Sequence, residues 1–437
     1  MPASGELTPA QVVQWLDRHV VGQQKAKHVV AVALRNRYRR MKVSEPMRSE
    51  ILPTNIILMG PTGIGKTEIA RRLATLVGAP FVKVEATRYS ETGYVGRDVE
   101  GMVRDLVRQA VNQCGSEERR NSVSPARERA DRAVAAALRA ADPSLPPEAE
   151  LAGAISGARF ADMEVEISVR EERPQFEVFL PGTGMDAEGS EAFRDLFSRI
   201  AGQRRRKNRM KVRNARERLF EEEMDRLLEQ GDSVERALRL AQEEGIIFID
   251  EIDKIVAAEG GSGPDVSRFG VQRDLLPIVE GNVVQTRYGP VRTDHMLFIA
   301  SGAFQGCSPS DLIPELQGRF PLRAELEPLG EEDLYRILTQ PEHCLLSQYR
   351  ELLSADGVFL EIDEEACRAV AKTAMRLNLQ TEDIGARRLR PVLTQLLDEE
   401  LFGAPDLVRG TIRVSGPDAE RRLAELAGAE DEEHYIL

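Results

Sequence analysis

The chain has 437 residues, 42% of them apolar and 30% charged, and a formal net charge of −13. That length exceeds what one hydrophobic core usually supports, so two or three domains are expected, and no apolar run reaches the roughly 20 residues that a membrane helix needs. The acidic balance argues against attraction of the whole molecule to nucleic acid or an anionic membrane, and Met1-Pro2-Ala3-Ser4-Gly5-Glu6 carries no cationic head backed by an apolar stretch, so a cytoplasmic protein is expected. Cys114, Cys307, Cys344 and Cys367 are far apart and form no C-x-x-C pair, which suggests neither a zinc site nor a disulfide framework.

In chain order, the first strong signal is the strand-like run Asn55-Ile56-Ile57-Leu58-Met59. It leads into Gly60-Pro61-Thr62-Gly63-Ile64-Gly65-Lys66-Thr67 and then a helical run from Glu68. Glycines between a strand and a helix let the backbone turn tightly, so that successive N–H groups and the helix N-terminus face phosphate oxygens. Lys66 supplies a cation for the β- and γ-phosphates and Thr67 a hydroxyl for Mg²⁺. A glycine turn in an ordinary α/β unit is the plainer alternative, but the strand-to-helix setting favours ATP.

Phe81-Val82-Lys83-Val84 reads as a second strand. Beyond it, Glu91-Thr92-Gly93-Tyr94-Val95-Gly96 sets an aromatic and a branched residue between glycines. A mobile, non-directional adhesive surface would have this composition; taken alone, the stretch reads first as a plain turn.

Residues 114–244 change character. They carry Glu117-Glu118-Arg119-Arg120, the basic block Arg204-Arg205-Arg206-Lys207-Asn208-Arg209 and the acidic Glu221-Glu222-Glu223, a mixture expected as long, solvent-exposed helices with i,i+4 pairs. A nucleic-acid contact by the basic block is the sharper alternative, weakened by the nearby acids. Met163-Glu164-Val165-Glu166-Ile167-Ser168-Val169 and Gln175-Phe176-Glu177-Val178-Phe179-Leu180 alternate as half-buried strands do. An inserted, α-rich domain is expected here, dividing a core of residues 1–113 and 245–327.

In Ile246-Ile247-Phe248-Ile249-Asp250-Glu251, an apolar strand ends in two acids. Asp250 is placed to hold Mg²⁺ through its water shell and Glu251 to activate a water in line with the γ-phosphate, unless the pair merely caps a buried strand. A Gly-rich loop at 259–264, a helix at 271–279, a hairpin over 283–293 and the buried strand His295-Met296-Leu297-Phe298-Ile299-Ala300-Ser301 follow. Strands alternating with helices predict an α/β fold with a doubly wound parallel sheet. Residues 328–437 read as a separate, mostly helical lid, with helices at 363–376 and 387–401 and one short strand, Thr411-Ile412-Arg413-Val414.

Two arginines bear on catalysis. In Glu315-Leu316-Gln317-Gly318-Arg319-Phe320-Pro321, Arg319 stands at a helix end, where it is either a finger for a neighbouring subunit's nucleotide or a surface arginine. In Gly385-Ala386-Arg387-Arg388, Arg387 could reach the phosphates of its own chain, with lid and core rotating as ATP becomes ADP.

Taken together these residues resemble the AAA+ protease-associated unfoldases, most closely those of the HslU type, whose ring serves the bacterial HslUV protease. The resemblance covers nearly the whole chain: His19-Val20-Val21-Gly22-Gln23, the phosphate loop, Val84-Glu85-Ala86-Thr87, Gly93-Tyr94-Val95-Gly96, residues 248–254, 262–268, 311–319, and Ile384-Gly385-Ala386-Arg387-Arg388. It implies ATP contacts by Val21, Gly63, Ile64, Gly65, Lys66, Thr67, Glu68, Asp250, Glu315 and Arg387, with Mg²⁺ at Thr67 and Asp250. Catalytic roles fall to Lys66, Glu251 and Arg319, in a homohexameric ring.

The resemblance further implies that the insert is an intermediate domain receiving substrates. Gly93, Tyr94, Val95 and Gly96 would grip unfolded or tagged proteins in an axial pore, with 259–264 as a second pore-facing loop. Tyr435, Ile436 and Leu437 would dock between subunits of an HslV-type peptidase. The chain departs from the pattern at His434-Tyr435, where an arginine-phenylalanine pair is common, and at Phe269, where an acid is commoner; both bear on partner affinity.

A ClpX-like unfoldase is the nearest rival, but the chain has neither a four-cysteine zinc module nor an Ile-Gly-Phe loop. From other classes, a nucleic-acid motor using residues 204–209 and a non-enzymatic ATP-gated scaffold remain as readings. No Ser/His/Asp or Cys/His set is legible, so peptide cleavage is assigned to the partner.

Overall fold

The strongest apolar runs form the middle of a five-stranded sheet in the computed structural model, which describes residues 7–51, 54–89, 98–157, 160–170, 205–256 and 266–428. From edge to edge the strands are Phe81–Glu85, Ile246–Asp250, Leu297–Gly302, Ile56–Met59 and Leu322–Glu325, each neighbouring pair parallel. One face packs Ile56, Leu58, Ile246, Phe248 and Ile299 against Val12, Leu16, Val30, Ile69 and Leu73 from three helices. On the other face Ile57, Ile247, Ile249 and Phe298 are buried as well. Burial on both faces explains why the three inner strands read as nearly continuous apolar runs, as the predicted doubly wound sheet requires. Because all five strands run the same way, Gly60, Asp250, Glu251 and Gly302 meet at one carboxyl edge, where open α/β sheets bind ligands.

The chain divides into two compact units, Met1–Val111 with Ala237–Leu437, and Asn112–Arg236. Within the first, residues 331–428 build a second apolar cluster, with Leu334, Leu338, Val370, Leu389, Val392 and Leu423 in its centre. Two expectations about this region need correction. A strand absent from the sequence reading, Val358–Ile362, pairs in parallel with Gly410–Val414. It is short, its partner is distant in sequence, and Phe359 is exposed, so no local pattern marks it. The stretch expected as one helix over 387–401 is a 3-10 turn Gly385–Arg388, a helix Leu389–Leu396, a break at Leu397 and a helix Asp398–Gly403 with three acids in its first turn.

In the second unit the predicted alternation of 163–169 appears as the strand Glu164–Arg170, with Val165 and Ile167 buried. The basic block, expected as helix, is a strand instead: Arg205–Lys211 pairs antiparallel with Glu164–Arg170. Lys207 Nζ reaches Glu166 Oε1 at 3.4 Å and Arg209 Nε reaches Glu164 Oε2 at 2.8 Å, so cross-strand opposite charges offset the cations there. The mixed charges of the helices pair between elements as well as along them, as in Arg216 Nε with Asp131 Oδ1 at 2.5 Å. Residues 175–180, the expected second strand, lie outside the described residues. Among the described residues no helix is long and apolar enough to cross a membrane, and all four cysteines are free thiols, three of them buried.

Candidate active site

After Met59 the chain leaves the sheet through backbone that side chains avoid: φ is 136° at Gly60, 76° at Gly63 and 104° at Gly65. At Gly63 the requirement is also one of space, since a Cβ there would stand 1.9 Å from the carbonyl oxygen of Ile384. The helix Lys66–Val77 follows at once, and no side chain caps its first turn, so those N–H groups are free for an anion. Lys66 curls back over the loop, its Nζ donating to the carbonyl oxygens of Gly60 at 2.6 Å and Pro61 at 2.7 Å. Burial lowers its pKa from the ordinary lysine value, with Arg387 adding to the effect and Asp250 and Asp253 opposing it.

Asp250 ends the strand Ile246–Asp250 under close constraint. Lys83 Nζ lies 2.7 Å from Oδ2, the Ser301 hydroxyl donates to Oδ1 at 2.5 Å, and the Glu251 N–H donates to Oδ1 at 3.1 Å. Burial by itself would raise the pKa of this carboxyl, but the bonds from Lys83 and Ser301 outweigh it and hold Asp250 below the usual carboxylate range. Glu251 takes a left-handed conformation, φ 56° and ψ 36°, which costs a non-glycine residue on the order of 1 kcal/mol. That turn releases Glu251 from the strand to an exposed position, where its Oε2 accepts from the Thr87 hydroxyl at 3.4 Å. Asp253, in the following 3-10 turn, is buried and accepts the Phe304 N–H at 3.3 Å.

These groups line a cleft of about 860 Å³. Its opposite wall comes from the helical region, including Ile337, Pro341, Leu389 and Arg387. The 3-10 turn Gly385–Arg388 is held against the phosphate loop by the Ala386 N–H donating to the Gly63 carbonyl at 3.1 Å. Its next arginine, Arg388, is spent on structure, donating to Thr381 Oγ1 and to the Glu382 carbonyl, both at 2.8 Å. Of the residues singled out from sequence, Val21, Gly63, Ile64, Gly65, Lys66, Thr67, Glu68, Asp250, Glu251 and Arg387 all line this cleft. Glu68 is paired with Arg71 at 2.5 Å and with Arg72 at 2.6 Å.

Glu315 and Arg319 do not line it. Arg319 ends the helix Pro314–Arg319 and forks onto Glu280, with Nη2 2.9 Å and Nε 3.0 Å from Oε1. Gly93, Tyr94, Val95 and Gly96, the loop 259–264, and Tyr435, Ile436 and Leu437 lie outside the described residues. The sequence reading missed Lys83, Ser301 and Asp253; only Lys83, a charge set between the apolar Val82 and Val84, gave a signal.

The donors suit a hydrated divalent cation beside phosphates: an ionised carboxylate at Asp250 and the Thr67 hydroxyl face the same cleft. Among the described residues no group of three or more His, Cys, Asp or Glu side chains could chelate a metal alone, so such an ion would depend on phosphate oxygens and water for its other ligands.

A parallel sheet with a phosphate loop, two acids at the neighbouring strand end and an arginine from a helical flank is the site of an AAA+ P-loop ATPase. Residues 56–120 match the ATPase family associated with various cellular activities (AAA), and residues 176–323 match the AAA domain (Cdc48 subfamily). Three proteins called ATP-dependent protease ATPase subunit HslU are similar over almost their full length. That of Thermotoga maritima is 46% identical, covering 100% of both chains; that of Chlorobaculum tepidum is 46% identical, covering 99% of this chain and 96% of its own; that of Geobacillus sp. is 44% identical, covering 99% and 100%. The chain belongs to the HslU family of ATPase subunits of ATP-dependent proteases.

Proposed function

We propose that this ATPase works in the cytoplasm as one of six subunits of a ring that takes up unfolded or tagged protein substrates, unravels them and threads them into an HslV-type peptidase that it also activates. The observation that carries the reading is the incompleteness of the cleft. Lys66, Asp250, Glu251 and Arg387 converge in one chain, while Arg319 stands outside it. An arginine supplied by a neighbour would complete the site and make hydrolysis depend on the ring.

In this reading Lys66 and the loop N–H groups hold the β- and γ-phosphates, and Thr67 and Asp250 hold Mg²⁺, which supplies charge neutralisation at the transferring phosphate. Glu251 takes a proton from the attacking water, its exposed position leaving room for one. Glu315 and Arg319 serve the neighbour's nucleotide, Arg387 its own. Residues 114–244 form the intermediate domain that receives substrates, and 328–437 the lid that rotates with nucleotide state. Gly93, Tyr94, Val95 and Gly96 grip the polypeptide, and Tyr435, Ile436 and Leu437 dock on the peptidase. Nucleic acid is not expected as a partner, because Lys207 and Arg209 of the basic block are paired with Glu166 and Glu164.

Mixing the purified chain with an HslV-type peptidase tests this. ATP should stimulate degradation of a folded, tagged protein, and deleting Tyr435, Ile436 and Leu437 should abolish the stimulation; Tyr94→Ala should keep basal ATPase yet lose degradation. Stimulation by DNA instead of protein would overturn it.

A further inference from the structure

The segment 18–23, of which His19, Val20 and Val21 line the cleft, does more than that. Val20 and Val21 form part of the wall, as does Ile337, and both valines share a smaller pocket with Arg336 and Gln340 of the same helical region. Underneath, the buried Lys27 pins this strap to the core helix Gln24–Met41, its Nζ donating to the Val20 carbonyl and to Asp17 Oδ1, both at 2.6 Å. The strap then turns through two left-handed residues, Gly22 at φ 63° and Gln23 at φ 58°. This turn aims the Gln23 side chain at Glu327, the last core residue before the lid. Gln23 Nε2 donates to the Glu327 carbonyl at 2.8 Å, and the Glu327 N–H donates to Gln23 Oε1 at 2.9 Å, so one amide imitates a strand pairing. Glu327 lies just ahead of the lid helix Glu331–Thr339. Just beyond that helix, the Glu342 N–H donates to the Arg18 carbonyl at 3.0 Å, and His19 Nε2 lies 3.7 Å from Glu342 Oε2.

The strap therefore clasps the lid's first helix at both ends. Leu334 and Leu338 of that helix share a core with Leu389 and Val392, next to Arg387. We propose that Gln23 is a positioning residue for ATP turnover: by locking Glu327 to the strap it transmits occupancy of the base end of the cleft, between Val21 and Ile337, to the lid that carries Arg387. This rests on the nucleotide and lid reading above and names the latch within it. Loss of the latch loosens the lid before binding; saturating ATP closes it again, so affinity falls and maximal rate holds.

Trp15, the chain's single tryptophan, reports the event, since its ring meets His19 edge-on at 4.5 Å and His19 lines the cleft. In the full-length chain, Gln23→Ala should raise KM for ATP and the midpoint of the ADP-induced Trp15 fluorescence change by about ten-fold, with kcat nearly unchanged. Mere misfolding would lower kcat and leave KM alone. Gln23→Glu, which keeps the acceptor and sets a carboxylate against the Glu327 carbonyl, should move both values the same way. Wild-type values in either folded variant overturn the latch. In the unmodified chain, ADP should slow amide exchange at Glu327 and Glu342 together with Val21. Protection of Val21 alone leaves the nucleotide reading standing and removes the latch, whereas no ADP-dependent change anywhere removes the nucleotide reading itself.

Discussion

Lys83 and Asp250 form an ion pair across adjacent strands, Nζ to Oδ2 at 2.7 Å, where the register sets Glu85 beside Asp250. The pair fixes the direction of the carboxylate that faces the phosphate loop and keeps it ionised.

Lys83→Met should therefore raise the pKa of Asp250 and lower kcat/KM by about ten-fold, the cost of one charge-assisted hydrogen bond. The stability that Asp250 contributes is present above the ordinary carboxylate pKa and lost as pH falls through its depressed folded value. In the variant that loss should be smaller and should be complete at higher pH. Thermal unfolding across the acid range and Mg²⁺ titration of the ATPase measure both effects; superimposable curves would remove the constraint from the account.

Glu251→Gln keeps the size of the side chain and its reach to Thr87 but cannot take a proton. ATP should bind with near-normal affinity while turnover drops by about 10²- to 10⁴-fold, the usual worth of a positioned base. Equilibrium binding set beside steady-state hydrolysis is the check, and near-normal turnover refutes the assignment.

Arg319 is tied to Glu280 outside its own cleft, so its catalytic worth should be visible only between chains. Arg319→Ala alone should lose about 10³-fold in hydrolysis. Mixed with an equally inactive Lys66→Ala chain it should regain activity, because a Lys66→Ala subunit still offers its arginine to an intact neighbouring cleft. Mixtures no more active than either variant rule out the finger.

At Gly63 a methyl group would collide with the Ile384 carbonyl and force a residue with φ 76° out of the left-handed region. Gly63→Ala should displace the turn that carries Arg387 and raise KM for ATP at least about ten-fold, while strain of about 1–3 kcal/mol lowers Tm by only a few degrees. A variant that unfolds cooperatively near the wild-type temperature and binds ATP normally would contradict this close approach.

Local chemistry announced much of this protein. The glycines at 60, 63 and 65, the strand that ends at Asp250 and Glu251, and the apolar runs at 56–59 and 297–300 are legible because each is dictated by a local need: tight backbone, a charged strand end, burial on both faces. The sequence alone settled that the chain binds nucleotide on a parallel sheet. Only the tertiary structure decided that Lys83 and Ser301 fix Asp250, that Arg388 is structural while Arg387 faces the cleft, and that Gln23 grips Glu327. The pairings of Asp250 with Lys83 and Ser301, and of Gln23 with Glu327, join residues far apart in the chain, and no periodicity records which distant partner a side chain will meet. The same reason hid the strand Val358–Ile362 and disguised the basic block, whose residues 205–209 pair as part of a strand with Glu164–Arg170 rather than following helical spacing.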